Sequence, residues 1–215
     1  MKNLAIMMAD LSGFTAMTEI HGAGTAAQMV NKYMDLLRDS LAGDTFHIET
    51  VGDQVVAIST RADDLALTAL NLFQKTREQK YFLSVHAGLH FGEVLEVNTR
   101  YYGRSINLTS RIANAARTDE ILCSQDFINA LAEPGAFQFG DRAEHKFKNV
   151  LQPVTVIELK PALASTQFEN HICPVCRMQL GPEEGLFSYR LGSRIYHFCS
   201  EECKETFEKY ELHGN

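Results

Sequence analysis

The sequence predicts an α+β fold, a ferredoxin-like sandwich followed by a small C-terminal module, and three observations carry that reading. Apolar runs and amphipathic stretches follow one another in the order strand, helix, hairpin, helix, strand, the pattern of a sheet with helices on one face. At 215 residues and 45% hydrophobic content, the chain buries one good core and carries a small appendage. Four of its five cysteines crowd into the last fifth of the chain, apart from the rest of the pattern.

The elements follow in order. Leu4 to Ala9 is a continuous apolar run, the mark of a buried central strand; Asp10 stops it, and Ser12-Gly13 turns the chain into a helix. That helix fills residues 14–41, with a break near Gly22-Ala23-Gly24 and a second start at the capping box Thr25-Ala26-Ala27-Gln28. Met29, Tyr33, Leu36 and Leu37 share its apolar face. Phe46 to Val51 and Gln54 to Ser59 flank Gly52-Asp53 and read as a hairpin with Asp53 at its tip. Asp63-Asp64 opens a helix through Leu65, Ala69, Leu72 and Phe73, followed by a strand from Phe82 to Leu89 and a turn near Gly92. A helix from Ser105 to Arg117 buries Leu108, Ile112 and Ala115 and presents Asn107, Arg111 and Asn114 on another face. Strands near Glu120 to Cys123, Glu144 to Lys148 and Val154 to Leu159 close the domain. Periodicity is lost from Lys160 to Gln167, so the expected organisation is a domain over 1–160, a linker over 161–170 and a module over 171–212.

The formal charge is −7 and no long Lys or Arg run occurs, which argues against nucleic acid or an anionic membrane surface as a partner. The run Leu4 to Ala9 is too short for a signal sequence or a membrane span, so a cytoplasmic protein is expected. In a reducing compartment, clustered cysteines point to metal binding rather than disulfides. Cys123, alone after Glu120-Ile121-Leu122, reads as a buried strand residue.

Two carboxylates, Asp10 and Asp53, each stand at the end of an apolar run, and together they suit a hard divalent cation. Asn107 and Arg111, one helical turn apart, suit a phosphate or sugar that such a cation activates. Singly, Asp10 reads as a helix cap, Asp53 as a turn residue and the Asn–Arg pair as a solvated face. Occurring together, they point to nucleotide chemistry. His86 and His90 lie in a strand without a third ligand and read as ordinary core or surface histidines.

The segments Ala9-Asp10-Leu11-Ser12-Gly13-Phe14-Thr15, Val51-Gly52-Asp53, Gly88-Leu89-His90-Phe91-Gly92-Glu93-Val94 and Tyr102-Gly103 through Arg111 resemble, in the same order, the catalytic domain of class III nucleotidyl cyclases. The resemblance spans roughly residues 1–160. It implies conversion of a purine nucleoside triphosphate, ATP or GTP, to its 3′,5′-cyclic monophosphate plus pyrophosphate, with Mg²⁺ or Mn²⁺ held by Asp10 and Asp53. It implies that Asn107 orients the ribose, that Arg111 holds the reacting phosphate and that Lys148 meets the terminal phosphates, although Asn149 stands where the family commonly has Gly. It also implies a head-to-tail homodimer, one subunit giving the aspartates and the other the base pocket, the Asn, the Arg and the Lys.

Glu49 and Arg100 fall at the family's base-reading positions with the charges of the adenine-selective pair inverted. A carboxylate accepts from guanine N1–H and N2–H while an arginine donates to O6, which leans towards GTP. A mutual Glu49–Arg100 ion pair is the other use of these groups, and would leave loose base selectivity or a weakly active enzyme. A protein that keeps the fold and binds nucleotide without turnover is the alternative function, with metal sensing left to the cysteine module.

Cys173-Pro174-Val175-Cys176 and Cys199-Ser200-Glu201-Glu202-Cys203 place four thiolates at spacings suited to a tetrahedral ion. Zn²⁺ is the default and Cu(I) the softer alternative, with His171 or His197 as a replacement for one cysteine. The segment resembles a YHS domain of treble-clef type over about 170–212, including Tyr196-His197-Phe198, Met178, Phe207 and Tyr210. An ion there would supply much of the module's folding energy, and metal-dependent regulation of the catalytic domain is the expectation that follows.

Overall fold

The structure, a computed structural model, describes residues 1–160, 171–181 and 187–213. The linker expected over 161–170 lies outside the described residues.

Strand β1 (Lys2–Leu11) sits centrally because it is apolar on both faces: Leu4 through Ala9 are all buried. After helix α1 (Phe14–Arg38), the hairpin β2 (Phe46–Val51) and β3 (Gln54–Ser59) returns, and β3 pairs antiparallel with β1. Helix α2 (Ala62–Arg77) leads to β4 (Val85–Val97), which lies along the other side of β1 and is extended by β5 (Arg100–Tyr102). Helix α3 (Arg104–Ala115), β6 (Ile121–Ser124), helix α4 (Gln125–Asn129), β7 (Gln138–His145) and β8 (Val154–Lys160) complete a sheet of order β2-β3-β1-β4-β6-β8-β7.

The α+β sandwich is as expected, but its helices cover both faces rather than one. Ala5, Met7, Ala9 and Leu11 share a core with Met17, Tyr33, Leu65 and Phe73 of α1 and α2. Leu4, Ile6 and Met8 pack with Ile106 and Ala113 of α3 on the opposite side. The double apolarity of β1 is the physical reason, since a strand with two buried faces needs two covers. Helix α3 lies so close to β4 that a Cβ at Gly88 would overlap the backbone of Ala113.

Helix α1 is interrupted at Gly22 (φ 79°, ψ 169°), the break read from Gly22-Ala23-Gly24. Gly92 is not a turn. Strand β4 continues through it to Val97, because its missing side chain makes room for Ser105 and His90, and the chain reverses instead at Asn98 and Thr99, both at positive φ. The last strands also shift: β7 ends at His145, so Lys146 to Lys148 leave the sheet.

In the module, β9 (His171–Ile172) pairs with β10 (Gln179–Leu180), β11 (Phe187–Leu191) pairs with β12 (Arg194–Phe198), and α5 (Glu201–His213) closes the unit. The Phe207 ring packs against Tyr189, Tyr196 and Phe198 with centroids 4.7–6.2 Å apart, while Tyr210 is exposed. The module is not separate from the sheet domain: Cys173, Cys176, Met178, Leu180, Phe198 and Cys203 belong to the same buried core as Met7, Ala9, Leu11 and Met17. Among the described residues, no helix is long and apolar enough to cross a membrane.

Candidate active site

Strand β1 delivers Asp10 one residue before its end, opposite His86 of β4. The register Ala9↔Val55 on the other side draws the β2–β3 turn alongside, with Gly52 in the left-handed region at φ 65° so that Asp53 returns towards β1. The two carboxyl groups stand close enough to interact directly. Burial, and then the neighbouring Asp10, push the Asp53 carboxyl up to about 7, against the backbone N–H groups of Asp53 and Leu11, which favour its charged form.

Two buried polar atoms here have no hydrogen-bond partner: Asp10 Oδ1 and Tyr33 Oη. Tyr33 is fully buried, and burial together with the charges of Asp10 and Asp53 raises its hydroxyl well above the ordinary tyrosine value. Ser12 Oγ lies 3.0 Å from His86 Nδ1, and His86 Nε2 stands 4.0 Å from Asp10 Oδ2. Burial lowers the His86 pKa despite the opposing charge of Asp53, so the ring is a neutral neighbour. A carboxylate pair that repels itself and leaves one buried oxygen unsatisfied is a donor set that fits a hard divalent cation. Ser12, Tyr33 and His86 border it, yet no spacing marks them: Tyr33 reads from sequence as core only, and His86 as a bystander. Of the two places the sequence left open for His90, core or surface, it takes the core, buried with Nδ1 2.8 Å from Ser124 Oγ.

Asn107 and Arg111 are exposed on α3, away from its buried side of Ser105, Thr109, Ile112 and Ala113. Glu49 on β2, Arg100 on β5 and Lys148 are exposed as well. Among the described residues, no hydrogen bond or ion pair joins Asp10 or Asp53 to any of these five, and none joins Glu49 to Arg100. The chain therefore brings the two aspartates together and leaves the other five candidates exposed, with no bond to them. Lys148 sits in a turn whose next residue, Asn149, has φ 66°. Asparagine tolerates that left-handed conformation nearly as glycine does, which accounts for the departure noted in the sequence.

A second constellation lies in the module. Cys176 Sγ is 3.2 Å from Cys199 Sγ, which is 3.5 Å from Cys203 Sγ. Cys173 hydrogen-bonds with all three, so the four expected cysteines converge. Hydrogen bonds from Cys176, Cys199 and Cys203 hold the Cys173 thiol well below its ordinary value, while hydrogen bonding to Cys173 raises Cys176 and Cys199. The His171 side chain lies outside the described residues. Among the described residues, the histidine seen beside these thiols is His21 of α1, with Nε2 3.5 Å from Cys199 Sγ and 3.6 Å from Cys203 Sγ. The ligand atoms of His21, Cys176, Cys199 and Cys203 all lie within 4.8 Å of one another, a cluster able to hold a metal ion. Cys123 is fully buried away from it, its thiol pushed up by burial alone.

Residues 1–158 match the family described as the adenylate and guanylate cyclase catalytic domain. An uncharacterized protein of Mycobacterium tuberculosis is 32% identical over 162 residues, covering 72% of this chain and 40% of that protein. A pH-sensitive adenylate cyclase of the same species is 23% identical over 168 residues, covering 77% of this chain and 42% of that enzyme. The chain thus spans about two fifths of the length of these curated relatives. Among solved structures, the guanylyl cyclase Cya2 superposes with a TM-score of 0.64 at 20% identity, covering 74% of this chain and 91% of that one. The adenylyl cyclase CyaB of P. aeruginosa gives 0.62 at 19% identity, covering 77% and 96%. At that identity the two structures bear on the fold alone.

Proposed function

Because the chain belongs to the adenylate and guanylate cyclase catalytic domain family, we propose that it converts a purine nucleoside triphosphate to the 3′,5′-cyclic monophosphate and pyrophosphate, at sites shared between two copies of the chain. The observation that supports this most is the meeting of Asp10 and Asp53, with Asp53 pushed up to about 7 and Asp10 Oδ1 buried without a partner. Mg²⁺ or Mn²⁺ held by this pair would neutralise the charge that builds on the attacking and leaving oxygens. Leu11 N–H, donating to Asp53, keeps that carboxylate turned towards Asp10, and neutral His86 adds no charge that would compete with a cation.

The remaining roles would fall to exposed residues that make no bond to the aspartates within the chain. Arg111 of the partner subunit would hold the phosphate as it passes through its crowded transition state, a task suited to a planar, permanently charged guanidinium. Asn107 of the partner subunit, one turn earlier on the same face, would fix the ribose so that its 3′-oxygen points in line with the leaving group. Lys148 would meet the terminal phosphates. Glu49 and Arg100 are both exposed and not paired with each other within the chain, so both are available to a base, and their acceptor and donor groups complement guanine. The cysteine module would hold a thiophilic cation, zinc by default.

Product analysis of the purified chain with Mn²⁺ and either ATP or GTP tests the reading. Cyclic product is expected, with Asp10→Ala lowering the rate by about 10³-fold or more. Nucleotide binding without product from the wild-type chain contradicts it and supports a binding protein.

A further inference from the structure

The module's first knuckle lies on the turn that follows Asp10. A Cβ added at Gly13, itself at φ 91°, would come within 2.6 Å of the Arg177 side chain and 3.6 Å of the Cys176 carbonyl oxygen. Beside it, Tyr81 N–H donates to Gln179 O at 3.0 Å, Gln179 N–H donates to Phe82 O at 2.8 Å, and Leu83 bridges to Met178. The contact is backbone-deep and continues the catalytic domain into the module. His21 extends it by one more group, a polar side chain from the catalytic domain among the module's sulfurs.

We propose that His21 is a ligand of the module's metal centre, completing a three-thiolate, one-imidazole site with Cys176, Cys199 and Cys203, so that one thiophilic divalent cation ties the two parts of the chain together. The separations argue for it. A tetrahedral ion with metal–sulfur bonds of about 2.3 Å and a metal–nitrogen bond of about 2.0–2.1 Å sets ligand-to-ligand edges of roughly 3.5–3.8 Å. Two His21 edges are 3.5 and 3.6 Å and Cys199 to Cys203 is 3.5 Å, while Cys176 to Cys199, at 3.2 Å, is shorter and would open slightly on loading. A hydrophobic contact would not need an imidazole nitrogen aimed at two sulfurs; Cys173, which accepts hydrogen bonds from the same three thiols, is the competing fourth sulfur. The break at Gly22 directly follows His21 and separates the segment carrying it from the segment carrying Tyr33.

The arrangement gives the ion a defined mechanical effect. The segment from Phe14 to His21 would be held at its start by the Gly13–Arg177 contact and at its end by coordination, and its start is four residues beyond Asp10. Loading the centre therefore orders the chain leaving the carboxylate site. This inference rests on reading the module as a cation site, but not on cyclase activity.

X-ray absorption of the zinc-loaded full chain tests it. Three sulfurs and one nitrogen are expected in the first shell, and His21→Ala should lose that nitrogen and weaken zinc binding at least tenfold, with a changed visible spectrum when Co²⁺ replaces zinc. Four sulfurs and no nitrogen in the wild-type chain overturn the role of His21, as does an unaltered Co²⁺ spectrum in the variant. Hydrogen exchange gives an independent reading: zinc should protect residues 14–21 in the wild type and much less in His21→Ala, and equal protection in both contradicts the proposal. A chain that takes up no zinc at all fails the broader reading of the module instead.

Discussion

Asp53 is the residue whose environment says most about the site. An unperturbed aspartate titrates at 3.8, whereas burial and Asp10 push this one up to about 7. The folded chain therefore holds the proton more tightly than the unfolded chain. That contribution to stability is fully present below about pH 4 and is lost as pH rises through about 7. Without Mg²⁺ or Mn²⁺, the thermal midpoint should fall between pH 5 and pH 8, and Asp53→Asn should fall less. Solvent reaches this half-buried pair, so the difference is on the order of 1 kcal/mol, or about 2–4 °C. Mg²⁺ added at pH 8 should recover it. Identical pH slopes for the wild type and Asp53→Asn would show that the two carboxylates do not repel.

At the scale of elements, the contact between α3 and β4 sets where Asn107 and Arg111 stand. A methyl group at Gly88 would meet the Ala113 backbone. Gly88→Ala should therefore cost about 1–3 kcal/mol, seen as a lower urea midpoint, and should tilt the Asn107–Arg111 face. An unchanged midpoint would place α3 further from the sheet than described. The hairpin at Gly52-Asp53 was legible to the residue because a two-residue turn divides two apolar strands. Strand β7 was not: it lies at the sheet edge with no buried residue, so no alternation marks it, and five-residue α4 is too short for a helical period. Gly92 misled because glycine signals both a turn and a close approach, and only the tertiary neighbours Ser105 and His90 distinguish them.

For the whole molecule, the sequence brought out groups whose chemistry is in their type and local setting, such as Asp10, Asp53 and the cysteine pairs. It did not bring out Tyr33, His86 or His21, whose meaning arises only when distant segments meet. His21 is one polar residue in a long helix until the fold sets it against Cys199 and Cys203. The same argument applies between copies, because the chain alone leaves Asn107 and Arg111 unconnected to the aspartates. Mixing two inactive variants, Asp53→Ala and Arg111→Ala, tests the shared-site account most directly. Random pairing makes half the dimers mixed, each with one intact site of two, so about a quarter of wild-type cyclic nucleotide production should return. A mixture as inactive as its components, or an Arg111→Ala protein that works at full rate alone, would contradict it.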